Sequence, residues 1–235
     1  MPFTAQDILQ DVRTTLQDTD FTRWTLNELR LYLNDGLREI AFHKPTACSA
    51  TVELSMSAGT LQELDEGQSL IRAIRNITSV AGANPRVGGL MISPTSRAVL
   101  DSQFANWHDT NSVPFSDTVV HVVFDPMAPR EFYVYPGNDG TGLIEAVIGR
   151  TPDAIAEPAN PHLIDSYTAN VDIDHIYRSV LRDYILGRCF EKDAASPGAA
   201  QRAMAHKQSF MQALGIKQQI DSTAQVNTTD DKPLG

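Results

Sequence analysis

The spacing of apolar residues changes twice along this chain, and that change limits its fold more than any other feature. Near both ends, apolar residues recur at helical spacing, whereas between residues 47 and 152 they alternate with polar residues, as in half-buried strands. Two helices are predicted before the alternating stretch and two after it. The pattern therefore indicates an α+β fold.

The first helix pair is predicted within residues 1–46. One helix covers residues 4–18 and begins with Thr4 as its N-cap. The second begins at a capping box of Thr25 and Glu28 and ends before Pro45, which disfavours helical geometry at the residue before it. The apolar positions of the two helices are Ile8, Leu9, Val12 and Leu16, then Leu26, Leu29, Leu33, Leu37 and Ile40.

The second helix pair is predicted within residues 172–215. One helix runs from about Asp172 to Ala194, and the other starts with Ser196 as N-cap and Pro197 in its first turn. Gly215 stands where a glycine commonly follows a helix end. Neither pair can bury its apolar stripe alone, so we expect all four helices to pack into one four-helix bundle.

The middle stretch, residues 47–152, is predicted to be an antiparallel β-rich insertion domain. The strands Val119–Phe124, Glu131–Tyr135 and Leu143–Gly149 are joined by turn-rich linkers, so consecutive antiparallel pairing is expected. Residues 153–171 look like a connection. Residues 216–235 are polar and lack a core pattern, which predicts a flexible C-terminal tail.

The charge balance limits the classes of partner. Asp and Glu number 29 against 19 Lys and Arg, a formal charge of −10. Such a chain repels phosphate backbones, which disfavours coating nucleic acid but permits a ring through which DNA merely passes.

No apolar run is long enough to predict a membrane span, and residues 1–7 do not resemble a secretion signal. Cys48 and Cys189 are far apart in sequence and lack CxxC spacing, so we expect reduced thiols in a protein made in the cytosol.

Four features of the sequence are candidates for a catalytic, cofactor-binding or metal site, and none of them supports one. Asp172, Asp174 and His175 are too close in sequence to converge on one ion from a helix. The adjacent residues Trp107, His108 and Asp109 have no nucleophile motif nearby. The stretch from Gly137 to Gly142 lies between two strands, whereas phosphate loops lead into a helix. Cys189 has no evident base partner. We therefore predict that the protein is not an enzyme.

Four stretches together resemble the head-to-tail adaptor (connector) proteins of tailed bacteriophages. They are DTDFTRWTLNELRLYLNDGLREI at Asp18–Ile40, VHVVFDP at Val120–Pro126, REFYVYP at Arg130–Pro136, and DYILGRCFEKDA at Asp183–Ala194, leading into Arg202–His206. The resemblance runs from about residue 5 to residue 215. The Gly82–Thr95 stretch departs from the family pattern, so the role of the 82–95 loop stays unassigned.

The resemblance implies a structural protein of the virion neck, between capsid and tail. Family members form a homo-oligomeric ring, typically of twelve copies, that binds the portal protein above and a nozzle or tail-tube protein below. The viral DNA passes through the lumen without specific binding. Family members carry no catalytic residues, which agrees with the lack of any here.

Two groups of residues are predicted contacts. Tyr32, Phe42, Tyr177 and Phe190 exceed the aromatic needs of one stripe per helix, and with Arg182 they are candidates for the subunit interface. The alternatives are a thicker core for the aromatic residues and a solvated face for the charge. The second group is the sparse apolar positions of the tail and its end, which are candidates for portal docking: Ile216, Ile220, Val226, Leu234 and Gly235. Plain terminal disorder is the alternative.

Two other functions stay open on the sequence. One is a tail-completion protein or a baseplate module that carries receptor-binding fibres. The other is a small hydrolase or lyase whose site on the β-domain uses His108 or His121.

Overall fold

The computed structural model describes residues 3–125, 127–193 and 195–227, with side chains described up to residue 215. The chain divides into two compact units. The helical unit is built from the residues up to Cys48 and those from Pro152 onward, and the β unit from Ser49–Thr151. No helix in the described part of the chain is both long and apolar enough to span a bilayer.

The helices are α1 (Ala5–Leu16), α2 (Leu26–His43), α3 (Arg97–Gln103), α4 (Arg178–Lys192) and α5 (Ala199–Asn227). Short 3₁₀ turns lie at Pro45–Cys48, Ile164–Ser166 and His175–Tyr177. The strands are β1 (Ser49–Ser55), β2 (Gly59–Glu63), β3 (Gln68–Ile77), β4 (Gly88–Met91), β5 (Ser93–Pro94), β6 (His121–Phe124), β7 (Glu131–Asn138) and β8 (Leu143–Arg150).

The N-terminal helices begin where their capping residues predict. Thr4 Oγ1 accepts the Asp7 N–H at 3.2 Å while the Asp7 carboxylate accepts the Thr4 N–H at 2.7 Å, so the capping box of α1 is complete. Thr25 caps α2 through the Glu28 N–H. The Glu28 carboxylate binds Tyr32 and Lys192. The N-cap at Thr25 and the helix end before Pro45 are thus confirmed, whereas the predicted capping box is incomplete, because the Glu28 carboxylate accepts from Tyr32 and Lys192 instead.

The C-terminal helices differ from their predicted bounds. α4 begins at Arg178, because residues 175–177 form a 3₁₀ turn capped by the Asp174 side chain. α5 begins at Ala199, three residues after the predicted cap Ser196, and it continues through Gly215. Gly215 therefore does not end the helix.

The predicted four-helix bundle is wrong. α1 and α2 pack against α4, and α5 packs along α4 as well, but α2 and α5 do not close on each other. α2 and α5 instead line the two sides of a groove, and α4 lines its base. A four-helix bundle does not form because α5 packs against α4 alone. The N-terminal pair, α1 and α2, therefore also packs against α4 and not against both C-terminal helices.

Ion pairs tie α4 and its flanks to the N-terminal helices. Arg178 donates to Asp11 at 2.7 Å, Lys192 donates to Glu28 at 2.6 Å, and Arg23 pairs with Asp193. The pairs follow the distribution of charge in the sequence. Residues 3–43 carry seven carboxylates and four arginines, whereas residues 178–215 carry six Lys and Arg and three carboxylates.

The β unit is two four-stranded sheets that share one core. One sheet has the strand order β1-β8-β3-β4, and the other has β2-β7-β6-β5. Their facing side chains form a single cluster, in which Ile144, Ala146 and Ile148 of β8 belong with Phe132 and Val134 of β7. α3 and Trp107, which is fully buried, form a second cluster with Val123 of β6.

The prediction of a purely antiparallel insertion is also wrong. β6 and β7 do form the expected antiparallel pair, but β5 pairs with β6 in parallel, and β7 and β8 belong to different sheets. β7 is already paired on both edges, by β2 and β6, so β8 has no free edge of β7 to join. The broader α+β class holds.

Candidate functional site: surfaces for assembly

The residues weighed as a metal site have local structural roles. The Asp174 carboxylate accepts the Ile176 N–H at 2.9 Å, and the Asp172 carboxylate accepts the Asp153 N–H at 3.1 Å. His175 lies edge-on to the Phe3 ring. Within the described residues, no group of three or more His, Cys, Asp or Glu side chains is placed to hold a metal ion.

His108 bonds to a hydroxyl and not to the carboxylate beside it in sequence. Its Nδ1 lies 2.7 Å from Thr60 Oγ1, and its ring is tilted by 31° against the Trp107 ring, with 3.7 Å between the ring centroids. The Asp109 carboxylate accepts the Asn111 N–H at 2.9 Å. Burial, together with the nearby positive charge of Arg97, lowers the pKa of His108. His121, the other candidate base, stacks on Tyr135. Both rings thus pack against aromatic side chains, and the buried Nδ1 of His121 makes no hydrogen bond to any described residue.

Backbone N–H groups in the stretch from Gly137 to Gly142 donate hydrogen bonds to side chains of the same stretch. Asn138 Oδ1 accepts the N–H of Gly140 at 2.8 Å and that of Gly142 at 3.1 Å, and Asp139 accepts the N–H of Thr141 at 2.9 Å. A phosphate loop keeps such N–H groups free for its ligand. This stretch therefore works as a turn that carries the chain from one sheet to the other.

The Cys189 thiol is fully buried in α4, and burial raises its pKa to about 12. A thiolate is the nucleophilic form of cysteine, so this side chain is chemically inert at neutral pH.

The residues predicted for the subunit interface fall into two groups. Phe42 is 80% exposed, whereas Tyr177 and Phe190 belong to the core of the helical unit. Tyr32 is half-buried and donates to Glu28 at 2.8 Å. Arg182 is half-buried, and its Nε makes no hydrogen bond to any described residue. Their role at a subunit boundary stays a prediction.

The predicted portal-docking residues lie outside what the structure describes in detail. Leu234 and Gly235 are outside the described residues. Ile216, Ile220 and Val226 fall within the bounds of α5, but their side chains are outside the description.

A groove between α2, α4 and α5 is a concave surface of the helical unit. We call it the α4 groove. It encloses about 300 Å³, and it is lined by Glu39, His43, Tyr184, Gly187, Arg188, Glu191, Lys207, Phe210 and Met211. The lining carries Arg188 and Lys207 against Glu39 and Glu191, and Arg188 Nη1 lies 3.3 Å from the Glu191 carboxylate. The groove thus offers aromatic and thioether surface inside a nearly balanced rim.

A second surface is a convex apolar segment of the β unit. We call residues 80–91 the apolar loop. Its exposed side chains are Val80, Val87, Leu90 and Met91, and Val80 is 81% exposed. The segment holds β4, the last strand of its sheet, and its single charged residue is Arg86.

Two nearly buried carboxylates hold the apolar loop against the sheet. Arg86 Nε lies 2.8 Å from Glu53, and Arg86 also donates to Glu145 at 3.0 Å, while Arg75 donates to Glu145 at 2.8 Å. The Gly82 N–H donates to Glu53 at 2.7 Å. Hydrogen bonds from Arg86 and Arg75 lower the pKa of Glu145. The loop is therefore fixed in place although its apolar side chains face water.

Sequence patterns do not single out the apolar loop. Its apolar residues lack helical or alternating spacing, and a pattern of that kind predicts a loop but not its exposure. The one available signal was composition, because a loop with four large apolar residues and one charge is unusually hydrophobic for a surface segment.

One family model matches the chain. It is described as SU10 adaptor protein, and the match covers residues 3–230. The match therefore includes both the helical unit and the β unit. No curated protein matches the chain.

Proposed function

This chain belongs to the SU10 adaptor protein family, a family of phage head-to-tail adaptors, and from that premise we propose that it forms a ring joining the capsid portal to the tail. The observation that carries the proposal is the family match across residues 3–230. The family is structural and belongs to the virion, so the protein acts through its surfaces.

Two features of the helical and β units support self-assembly. Each copy has a concave apolar surface, the α4 groove, and a convex one, the apolar loop. Different surfaces that meet head to tail produce a ring when the rotation between copies closes. Phe42, exposed at the end of α2 beside His43 of the groove, adds to the apolar area available to a neighbour.

We propose that the DNA passes through this ring without binding to it. The formal charge of −10 supports this, because negative charge on the lumen wall repels the phosphate backbone and lets the duplex slide. The prediction of a twelve-copy ring and of a nozzle or tail-tube partner below it belongs to the same proposal.

The residues after 215 are proposed to bind the portal. Ile216, Ile220 and Val226 are spaced apolar positions in the otherwise polar last part of α5, and Leu234 follows later in the sequence, a composition suited to binding a partner through a few apolar contacts. Truncation after residue 217 should leave the helical unit folded and abolish binding to the portal.

The test is electron microscopy of virions together with a portal-binding assay. We expect a ring of this chain between portal and tail, and capture of the full chain but not of the truncated chain by purified portal rings. A location on the tail fibres or the baseplate, or equal portal binding by the truncated chain, contradicts the proposal in its present form.

A further inference from the structure

Three of the four sheet edges in the described part of the chain are protected against a further strand. β5 has only two residues, and one of them is Pro94. β4 has four residues and β2 has five, and a register shift interrupts the pairing of each with its neighbour. Short edge strands, prolines and irregular pairing commonly keep other chains from pairing with an exposed edge. These three edges therefore offer no regular partner to a further strand.

β1 forms the fourth edge and has none of these protections. Among the described strands it pairs with β8 alone, and the register of that pair is unbroken from Ser49 to Ser55. Its seven residues contain no proline and no lysine. Its one charged side chain, Glu53, is mostly buried, and its Oε1 lies 2.8 Å from Arg86 Nε. We call the side of β1 that faces away from β8 the open edge.

Every second residue of β1 directs its backbone N–H and C=O groups toward the open edge. The Met56 N–H donates to the Gly142 carbonyl at 2.9 Å, so the hydrogen-bonded pairs of this antiparallel ladder fall on the even-numbered residues of β1. The odd-numbered residues after the first one therefore point their backbone groups outward, and they are Thr51, Glu53 and Ser55. Among the described residues, none makes a hydrogen bond to these outward groups. The open edge thus holds unpaired donors and acceptors at the spacing of a strand.

The core of the β unit is also less covered at β1 than at β8. Ile144 and Ala146 of β8 are fully buried. Leu54 and Val52, which pair with them and pack on the same core, are only half-buried. A strand added along the open edge would cover these two side chains and bond to the outward backbone groups at the same time.

We propose that the open edge binds an extended segment of another virion protein, which joins the sheet as a strand beside β1. The backbone groups select this occupant, because an extended chain presents its own donors and acceptors at the same repeat. At the positions that face the core, the segment carries apolar side chains that pack on Val52 and Leu54. The inference rests on the proposed function, since a place between portal and tail brings other proteins against this chain.

A second copy of this chain does not match the open edge. Pairing of two β1 strands is a two-fold contact that ends at a dimer, whereas the proposed ring requires different surfaces that meet head to tail. A head-to-tail pairing would use β2, β4 or β5, and each of these is shorter than β1 and either interrupted or only two residues long. The occupant is therefore a different protein.

The first test is hydrogen–deuterium exchange of the full chain, free and in virions, resolved to single amides by mass spectrometry. In the free chain the amides of Thr51, Glu53 and Ser55 should exchange fast, whereas those of Val52 and Leu54 are protected by β8 and serve as internal controls. In virions, exchange at the three outward amides should slow by at least about tenfold. Unchanged exchange in virions that contain the chain overturns the inference. Protection in the free monomer, or in oligomers of the purified chain alone, overturns it as well, because the edge is then covered without another protein.

The second test removes one outward donor. Thr51→Pro deletes the outward N–H without removing a hydrogen bond to β8, and edge strands accept proline in this orientation. Thr51→Ala keeps the N–H and is the matched control. The yield of infectious particles should fall at least about tenfold with Thr51→Pro and stay at the wild-type level with Thr51→Ala. Thermal unfolding of the purified chains establishes that both variants are folded, and equal yields from the two folded variants overturn the inference. If Thr51→Pro does not fold, the exchange of the wild-type amides decides.

The outcomes separate this inference from the proposed function. Virions that hold a ring of this chain but leave the three outward amides unprotected overturn the strand pairing alone. Virions without this chain between portal and tail contradict the proposed function and, with it, this inference.

Discussion

Gly36 of α2 lies directly against Leu181 of α4, so that a Cβ atom at Gly36 would be 2.7 Å from Leu181 Cδ1 and 2.8 Å from the Tyr184 ring. This approach sets how closely α2 and α4 pack, and therefore how the α4 groove is formed. We expect Gly36→Ala to lower the free energy of unfolding by about 1–3 kcal/mol, because overpacking forces the two helices apart. Urea denaturation measures the change.

Gly187 provides the matched control for that substitution. It also lies inside a helix, but its nearest neighbour to a new Cβ would be His206 Cβ at 3.7 Å, an ordinary contact. Gly187→Ala should leave stability unchanged or raise it by up to about 1 kcal/mol, since alanine favours the helix. If both substitutions change the free energy of unfolding equally, close packing at Gly36 is not the cause of the destabilisation.

A second prediction concerns Asn138, which is fully buried at the end of β7. Its Oδ1 accepts the N–H of Gly140 and of Gly142, and its Nδ2 donates to the Asp117 carbonyl at 3.3 Å. Asn138→Ala leaves these groups without partners, which should cost about 2–3 kcal/mol of unfolding free energy. The measurement is chemical denaturation, with the exposed Asn106→Ala as the matched control; a loss of less than about 0.5 kcal/mol, on the order of a surface change, contradicts it.

The turn at Asn138 also shows where sequence reasoning succeeds and where it stops. The caps at Thr4 and Thr25 depend on neighbours within a few residues, so a local pattern predicted α1 and α2. The pairing of β7 and β8 depends on which strand already occupies each edge, which no local pattern records. No local pattern predicts β2, because its buried side chains are the polar Thr60 and Gln62.

The candidate surfaces were harder to predict than the elements, for the same reason. Phe42, Tyr177 and Phe190 look alike as surplus aromatics in the sequence, yet Phe42 is exposed and the other two are buried. Burial depends on what packs against a residue from distant parts of the chain. The attachment of the apolar loop to Glu53 and Glu145 likewise depends on the fold, because both carboxylates are distant in sequence from Arg86.

A third prediction concerns acid stability and Glu145. Hydrogen bonds from Arg86 and then Arg75 lower its pKa below the ordinary value of 4.5. A carboxylate whose pKa is lowered by folding stabilises the protein above its unfolded pKa and loses that contribution as the pH falls through its folded pKa. Wild type should therefore lose stability below about pH 4.5, and Glu145→Gln should be less stable at pH 7.

The pH profile separates this effect from general destabilisation. Glu145→Gln should lose less additional stability than wild type between pH 5 and pH 3, because it has no carboxylate to protonate at that position. Asp7 also has a lowered pKa, through its hydrogen bonds to Thr4, so some acid sensitivity should persist in the variant. Thermal unfolding across this pH range gives both curves, and parallel curves would rule out the role of Glu145.

A fourth prediction concerns the two cysteines. Cys189 is fully buried with its pKa raised to about 12, and Cys48 is also buried. Thiol reagents react with the thiolate, so the folded protein should incorporate less than one label per chain at pH 8 within the time in which the denatured chain incorporates two. Mass spectrometry after iodoacetamide treatment counts the labels.

The variant Cys48→Ser isolates Cys189. Its labelling should then follow the rate of global unfolding, since α1, α2 and α5 all pack against α4. Rapid labelling of Cys189 in the folded Cys48→Ser variant would show that the interior of the helical unit opens without global unfolding.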